Sequence, residues 1–77
     1  DELMLYVQNL SNDACRRPEI NIGRCLPKGD IRYYGSKSGR AAVLKAFDIT
    51  GGNGKNLLRI NTVLESGEFA VIRYRIR

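Results

Sequence analysis

The chain has 77 residues, a net charge of +5, two cysteines, and neither histidine nor tryptophan. That length holds one hydrophobic core, so one domain is expected over the whole chain. Without histidine there is no imidazole for general acid–base work, for a catalytic triad or for a metal site, which excludes histidine-based mechanisms and disfavours most enzyme classes. The hydrophobic fraction of 43% and charged fraction of 27% suit a folded globule rather than a disordered chain. No apolar run approaches the roughly 20 residues of a membrane-spanning helix.

Taken in order, Leu3 to Gln8 reads as an apolar opening strand. Asn9 to Pro18 is the longest early connection, and within it Asn9-Leu10-Ser11 matches the N-glycosylation sequon. Glu19-Ile20-Asn21-Ile22 alternates before Gly23 and predicts a second strand. Leu26-Pro27-Lys28-Gly29 carries turn chemistry, and Asp30 to Tyr34 follows as a strand. Gly35 to Gly39 is a turn. The run Ala41 to Thr50 holds β-branched and aromatic residues between glycines, which favours strand over helix. Gly51-Gly52-Asn53-Gly54-Lys55 lacks the spacing of a phosphate-binding loop and reads as a flexible hairpin connection. Leu57 to Leu64 alternates, as does Ala70 to Arg77, and Ser66-Gly67 between them reads as a tight hairpin turn. The sum is an all-β domain of about six short antiparallel strands, a small sandwich or a closely related small barrel.

The chain begins at Asp1 without an initiator Met, which implies either a removed leader or a trimmed chain. Cys15 and Cys25 are an even count in a short chain, which reads as one disulfide formed in an oxidising compartment. Such a bridge would contribute about 2.5–3 kcal/mol in the chain-entropy model and would clamp the first long loop to the end of the second strand. Two free buried thiols are the alternative. Two cysteines without histidine leave half of a tetrahedral zinc site empty, so no metal and no cofactor are expected.

The charge is uneven. Residues 1–38 carry six basic and five acidic groups, whereas residues 39–77 carry seven basic and three acidic groups. Arg73, Arg75 and Arg77 share one face of the last strand, roughly 7 Å apart, and Arg59 on the preceding strand extends the row if the two strands pair. Such a row suits successive phosphates or an acidic protein surface. It equally suits an edge strand whose charges block sheet-to-sheet association. Arg32 beside Tyr33-Tyr34 adds a cation next to an aromatic ring. Adjacent strand residues face opposite ways, so Tyr34 joins the surface while Tyr33 packs in the core with Ile31. The carboxylates are scattered and the serines lack a base, so no hydrolase constellation emerges and no enzyme is expected.

The stretch Arg24-Cys25-Leu26-Pro27-Lys28-Gly29-Asp30-Ile31-Arg32-Tyr33, with the following Gly-Ser turn and Val43-Leu44-Lys45-Ala46, resembles a segment of the MAX effectors. These are small secreted proteins of fungal plant pathogens that share a fold and little sequence. The resemblance covers a little under a third of the chain, and its motif is one turn and two strands. It implies two three-stranded antiparallel sheets packed as a sandwich, no catalytic activity, secretion, and action on a plant host, including inside host cells. It implies a host protein as partner, an immune-receptor domain or its target. The family's usual bridge ties the first strand to a cysteine before the fifth, whereas both cysteines here fall in the first third of the chain.

The leading expectation is therefore a secreted, monomeric, non-enzymatic effector that binds a host protein through Arg32, Tyr34, Arg59, Arg73, Arg75 and Arg77. The competing expectation is a small basic β-barrel module that binds nucleic acid. A cationic protein acting at membranes is a third, disfavoured by the lack of a contiguous apolar face beside the charges.

Overall fold

The computed structural model describes all 77 residues and contains only strands and loops. Seven strands form: β1 (Glu2–Gln8), β2 (Glu19–Asn21), β3 (Pro27–Gly35), β4 (Arg40–Val43), β5 (Phe47–Gly52), β6 (Lys55–Ile60) and β7 (Phe69–Ile76). They build a four-stranded sheet in the order β1-β7-β3-β4 and a three-stranded sheet in the order β2-β6-β5. Every pairing is antiparallel. The two sheets are separate layers rather than one closed barrel.

The all-β reading holds, but the count rises from six strands to seven and the sheets are four and three rather than three and three. The run Ala41 to Thr50 is two strands. At Leu44-Lys45-Ala46 the chain leaves the four-stranded sheet as β4 and enters the three-stranded sheet as β5.

Alternation places the core between the layers. On β7, Ala70, Ile72 and Tyr74 are buried while Arg73 and Arg75 are exposed. Ile31, Leu58, Ile60, Ile72, Ile22 and Tyr74 form the central cluster, with Leu3, Leu5, Val7, Ile20, Tyr33, Phe47 and Ile49 packed against it. Burying a large aliphatic side chain stabilises by about 1.5–3 kcal/mol, so this cluster carries the fold. Tyr33 joins it, as its alternation with Tyr34 requires. No buried side-chain nitrogen or oxygen is left without a partner.

The β5–β6 connection is a two-residue hairpin. Gly52 pairs with Lys55, and Asn53 and Gly54 between them both have positive φ, 55° and 78°. Positive φ at both central residues is the type I′ requirement, and Asn-Gly meets it with the least strain. The Gly-Gly-Asn-Gly-Lys segment is thus a turn, as its composition indicated.

Three expectations fail here. First, Ser66-Gly67 does not join paired strands. The turn is local, closed by Glu68 N–H to Glu65 O at 3.0 Å and by Glu65 N–H to the Glu68 carboxylate at 2.8 Å. The strands on either side lie in different sheets, because β1 and β3 occupy both edges of β7 while β2 and β5 occupy both edges of β6. Leu64, assigned to the alternating run, instead pairs with Cys15 as an isolated bridge.

Second, Cys15 and Cys25 are free thiols. Cys15 is held beside Leu64 by two backbone hydrogen bonds of 2.8 Å, at the end of the molecule where Asn9 meets Gly67. Cys25 lies at the other end, where Leu26 O accepts from Arg77 N and Asp1 O accepts from Ile76 N. Each is thus tied by backbone bonds to a different end of the molecule, and the two are not bonded. The loop clamp is instead made by Asn9. Its Nδ2 donates to Asp13 O and to Leu64 O, both at 2.8 Å, and its Oδ1 accepts from Ser11 N–H at 2.9 Å. That amide is fully used and buried, so the sequon residue is a structural tie in the folded chain.

Third, β7 is not an edge strand. It sits between β1 and β3, so its arginines do not serve to guard an open edge.

Candidate binding face

The outward residues of the four-stranded sheet fall in rows read straight across the strands, beginning with Gln8 and Phe69 at one end. Tyr6, Val71, Tyr34 and Ala41 form the second row. Met4, Arg73, Arg32 and Val43 form the third. Glu2, Arg75 and Lys28 form the fourth. The face is apolar and aromatic at one end and cationic at the other.

Strand β3 shapes the cationic end. Between Lys28 and Arg32 it advances four residues while its neighbour advances only from Arg75 to Arg73, so the ladder is broken by a bulge. Gly29 within the bulge has φ of 80°, a conformation that residues with a Cβ rarely adopt. The bulge opens a concavity of about 900 Å³ against β7. Lys28, Arg32, Arg73 and Arg75 ring it with positive charge, Glu2 and Asp30 add two carboxylates, and Met4, Tyr34 and Val71 supply apolar wall. Bulges recur beside binding and active sites because they re-aim side chains and free backbone groups.

The electrostatics of this face run against stability. Arg32 stands directly opposite Arg73, and Lys28 directly opposite Arg75. Like charges in cross-strand positions are destabilising, each pair by roughly 0.2–1 kcal/mol. One compensation is present: the Glu2 carboxylate accepts from Arg73 Nε at 3.0 Å and lies 2.9 Å from its Nη2. Both partners are about half exposed, so solvent screening limits that pair to at most about 1 kcal/mol.

At the other end the rings pack on each other. Tyr6 and Phe69 stack with centroids 5.4 Å apart and planes 23° apart, and Tyr34 lies 6.3 Å from Phe69 at 33°. Met4 and Tyr6 remain 63% and 61% exposed, high for large apolar side chains in a seven-residue strand.

Of the residues singled out from the sequence, the structure brings Arg32, Tyr34, Arg73 and Arg75 together. Arg77 is displaced to the rim, where its Nε donates to Pro27 O at 3.2 Å. Arg59 does not belong. It projects from β6 on the opposite sheet and pairs with Glu19 at 3.4 Å. Its inclusion rested on a β6–β7 hairpin that does not form. The reading missed Met4, Tyr6, Phe69 and Lys28. The alternation Glu2-Met4-Tyr6-Gln8 was the available signal for the first two.

Two hydroxyls beneath this face are displaced from ordinary tyrosine behaviour. Burial, and secondarily the charge of Glu68, pushes Tyr33 up. Burial, with a smaller contribution from Cys25, pushes Tyr74 up to about 12. Tyr74 donates its hydroxyl proton to Cys25 O and so ties the last strand to the turn before β3. Both tyrosines are neutral at physiological pH. Comparison of the chain with protein-family models, with curated proteins and with solved structures found no match.

Proposed function

We propose that the chain is a non-enzymatic binding protein of the secreted effector type, and that it engages a host protein through the outer face of the four-stranded sheet. The observation that carries this reading is the composition of that face. Exposed Met4 and Tyr6, with Tyr34 and Phe69, adjoin Arg32, Arg73 and Arg75 around a concavity. Tyrosine, methionine and arginine are the residues enriched at protein interfaces and their hot spots. The like-charge pairs add a reason for association, because an acidic partner group placed between them relieves their repulsion. Secretion and the host context rest on the local resemblance over Arg24 to Ala46; the free cysteines lend them no support.

Single-stranded nucleic acid is the second reading, favoured by cations and aromatic rings sharing one face. Two features weigh against it. Glu2 and Asp30 stand among the cations and repel phosphates, and Tyr6 and Phe69 spend a ring face on each other rather than offering it to a base.

The test uses the wild-type chain and the Arg73→Glu/Arg75→Glu variant as affinity baits in plant leaf extract, beside fluorescence anisotropy with a labelled 20-nucleotide RNA. The expected result is a captured plant protein that purifies and rebinds directly, that the folded variant fails to hold, and negligible affinity for RNA at physiological salt. Capture unaffected by the variant would refute the face as the site. Tight RNA binding that falls steeply with salt would replace the reading with the second one.

A further inference from the structure

We infer that β1 is a self-association edge: two copies of the chain pair antiparallel along Glu2–Gln8, with Met4 set against the partner's Tyr6, and so join two four-stranded sheets into one of eight strands. This inference does not rest on the proposed function, although both use the exposed Met4 and Tyr6, and it replaces the monomer that the sequence led one to expect.

Four strands have an open edge, and three of them are guarded. β2 is only three residues long. β4 is four residues long, begins with Arg40, and ends where Leu44 N–H turns back to Ile31 O at 2.7 Å. β5 carries Asp48 and ends in Gly51-Gly52, with Gly51 at φ of 143°. Short length, charge and irregular backbone are the usual protections of a sheet edge. β1 has none of them. It is seven regular residues without lysine, arginine, proline, glycine or a bulge, and its single charge, Glu2, stands at one end.

The backbone bonding states which groups are free. Asp1 O accepts from Ile76 N–H, Asn9 N–H donates to Glu68 O, and Asn9 O accepts from Gly67 N–H. Odd-numbered residues therefore turn their peptide groups toward β7, and antiparallel alternation turns those of Glu2, Met4, Tyr6 and Gln8 to the open edge. Any strand that docks here must present its own free groups at the same spacing of two.

A second copy of β1 does so along its full length in one register, centred on Leu5. Glu2 then faces the partner's Gln8 and Met4 faces the partner's Tyr6, which provides about eight inter-chain hydrogen bonds by the antiparallel pattern. Glu2 meets an amide rather than a second carboxylate, so no like charges oppose. The exposed Met4 and Tyr6 cover each other, an apolar–aromatic cross-strand pair. On the inner side Leu3 meets the partner's Val7, and the two Leu5 side chains meet at the axis. Moving the register by two residues strips pairing from one end of each strand and sets both Tyr6 rings opposite Glu2, or both Met4 side chains opposite Gln8. In the centred arrangement the outer faces of the two copies become continuous.

Sedimentation equilibrium of the wild-type chain tests this, with amide hydrogen exchange as a second readout that needs no variant. The mass should rise from 8.7 kDa toward twice that value across about 1 µM to 1 mM, the range that a small interface reaches. The amides of Met4, Tyr6 and Gln8 should exchange freely in dilute protein and become protected in concentrated protein. Met4→Lys/Tyr6→Lys, which sets lysine against lysine in the proposed register, should stay at 8.7 kDa throughout. A wild-type chain that remains monomeric at 1 mM would overturn the inference. So would a dimer whose Met4 and Tyr6 amides stay unprotected, or one that the folded lysine variant leaves intact.

Discussion

The outer faces of the two sheets obey opposite rules. On the three-stranded sheet, Arg59 stands between Glu19 on one neighbouring strand and Asp48 on the other, so its cross-strand partners carry the opposite charge. On the four-stranded sheet, Arg32 meets Arg73 and Lys28 meets Arg75, and two large apolar side chains lie open beside them. Both faces rest on the same core and both belong to 77 residues with little stability to spare. A small domain that places like-charge pairs in the middle of a sheet forgoes stability there, a cost that the proposed binding role would explain. The three-stranded face shows that the same chain can also set opposite charges across its strands.

The largest effects should be the same on both sides. Ile72 and Leu58 are each 0% exposed, on the inner faces of the four- and three-stranded sheets. Ile72→Ala and Leu58→Ala should each cost about 2–5 kcal/mol in urea unfolding. If one substitution were nearly neutral, the two sheets would not share a core, and the contrast between their outer faces would reduce to a difference in how firmly each is supported.

A smaller effect probes the layer beneath the basic face. Folding favours the neutral form of Tyr74, whose ionisation moves from near 10 to about 12. Its contribution is complete below pH 10 and is lost as pH climbs from about 10 to 12. Tyr74→Phe should cost about 1 kcal/mol at neutral pH, through the bond lost to Cys25 O, and should lessen the alkaline decline, to which Tyr33 still contributes. Melting temperatures of both proteins between pH 7 and 12 check this. An undiminished alkaline decline in the variant would show that water reaches the Tyr74 hydroxyl.

The fold was legible where a period of two ran unbroken. The faces of β7 followed from alternation alone, and so did the division of Tyr33 from Tyr34. What stayed hidden was which strands pair. A turn such as Ser66-Gly67 looks the same whether the runs around it form a hairpin or part into different layers, and that ambiguity moved Arg59 onto the wrong sheet. The break inside Ala41 to Thr50 carries no glycine or proline, so nothing local announced the crossing between layers. The cysteine pairing failed for a related reason: the strand between Cys15 and Cys25 was legible, but not that Cys15 bonds to Leu64 at one end of the molecule while Cys25 lies at the other. In the candidate site, arginines were visible as charge, but Met4 and Tyr6 lay inside Leu3 to Gln8, a strand legible as apolar without a face being assigned to either.

The central claim is that the four-stranded face sets like charges directly opposite each other, relieved only through Glu2, while the three-stranded face sets Arg59 between opposite charges. Two double-mutant cycles on the protein alone measure this, Arg32→Thr with Arg73→Thr and Arg59→Thr with Glu19→Thr, each at low and high salt. The expected coupling between Arg32 and Arg73 is repulsive by roughly 0.2–1 kcal/mol at low salt and shrinks as salt is added, while that between Arg59 and Glu19 is attractive and similarly screened. An attractive or vanishing Arg32–Arg73 coupling at low salt would contradict the account, because the face would then be built for stability like its counterpart.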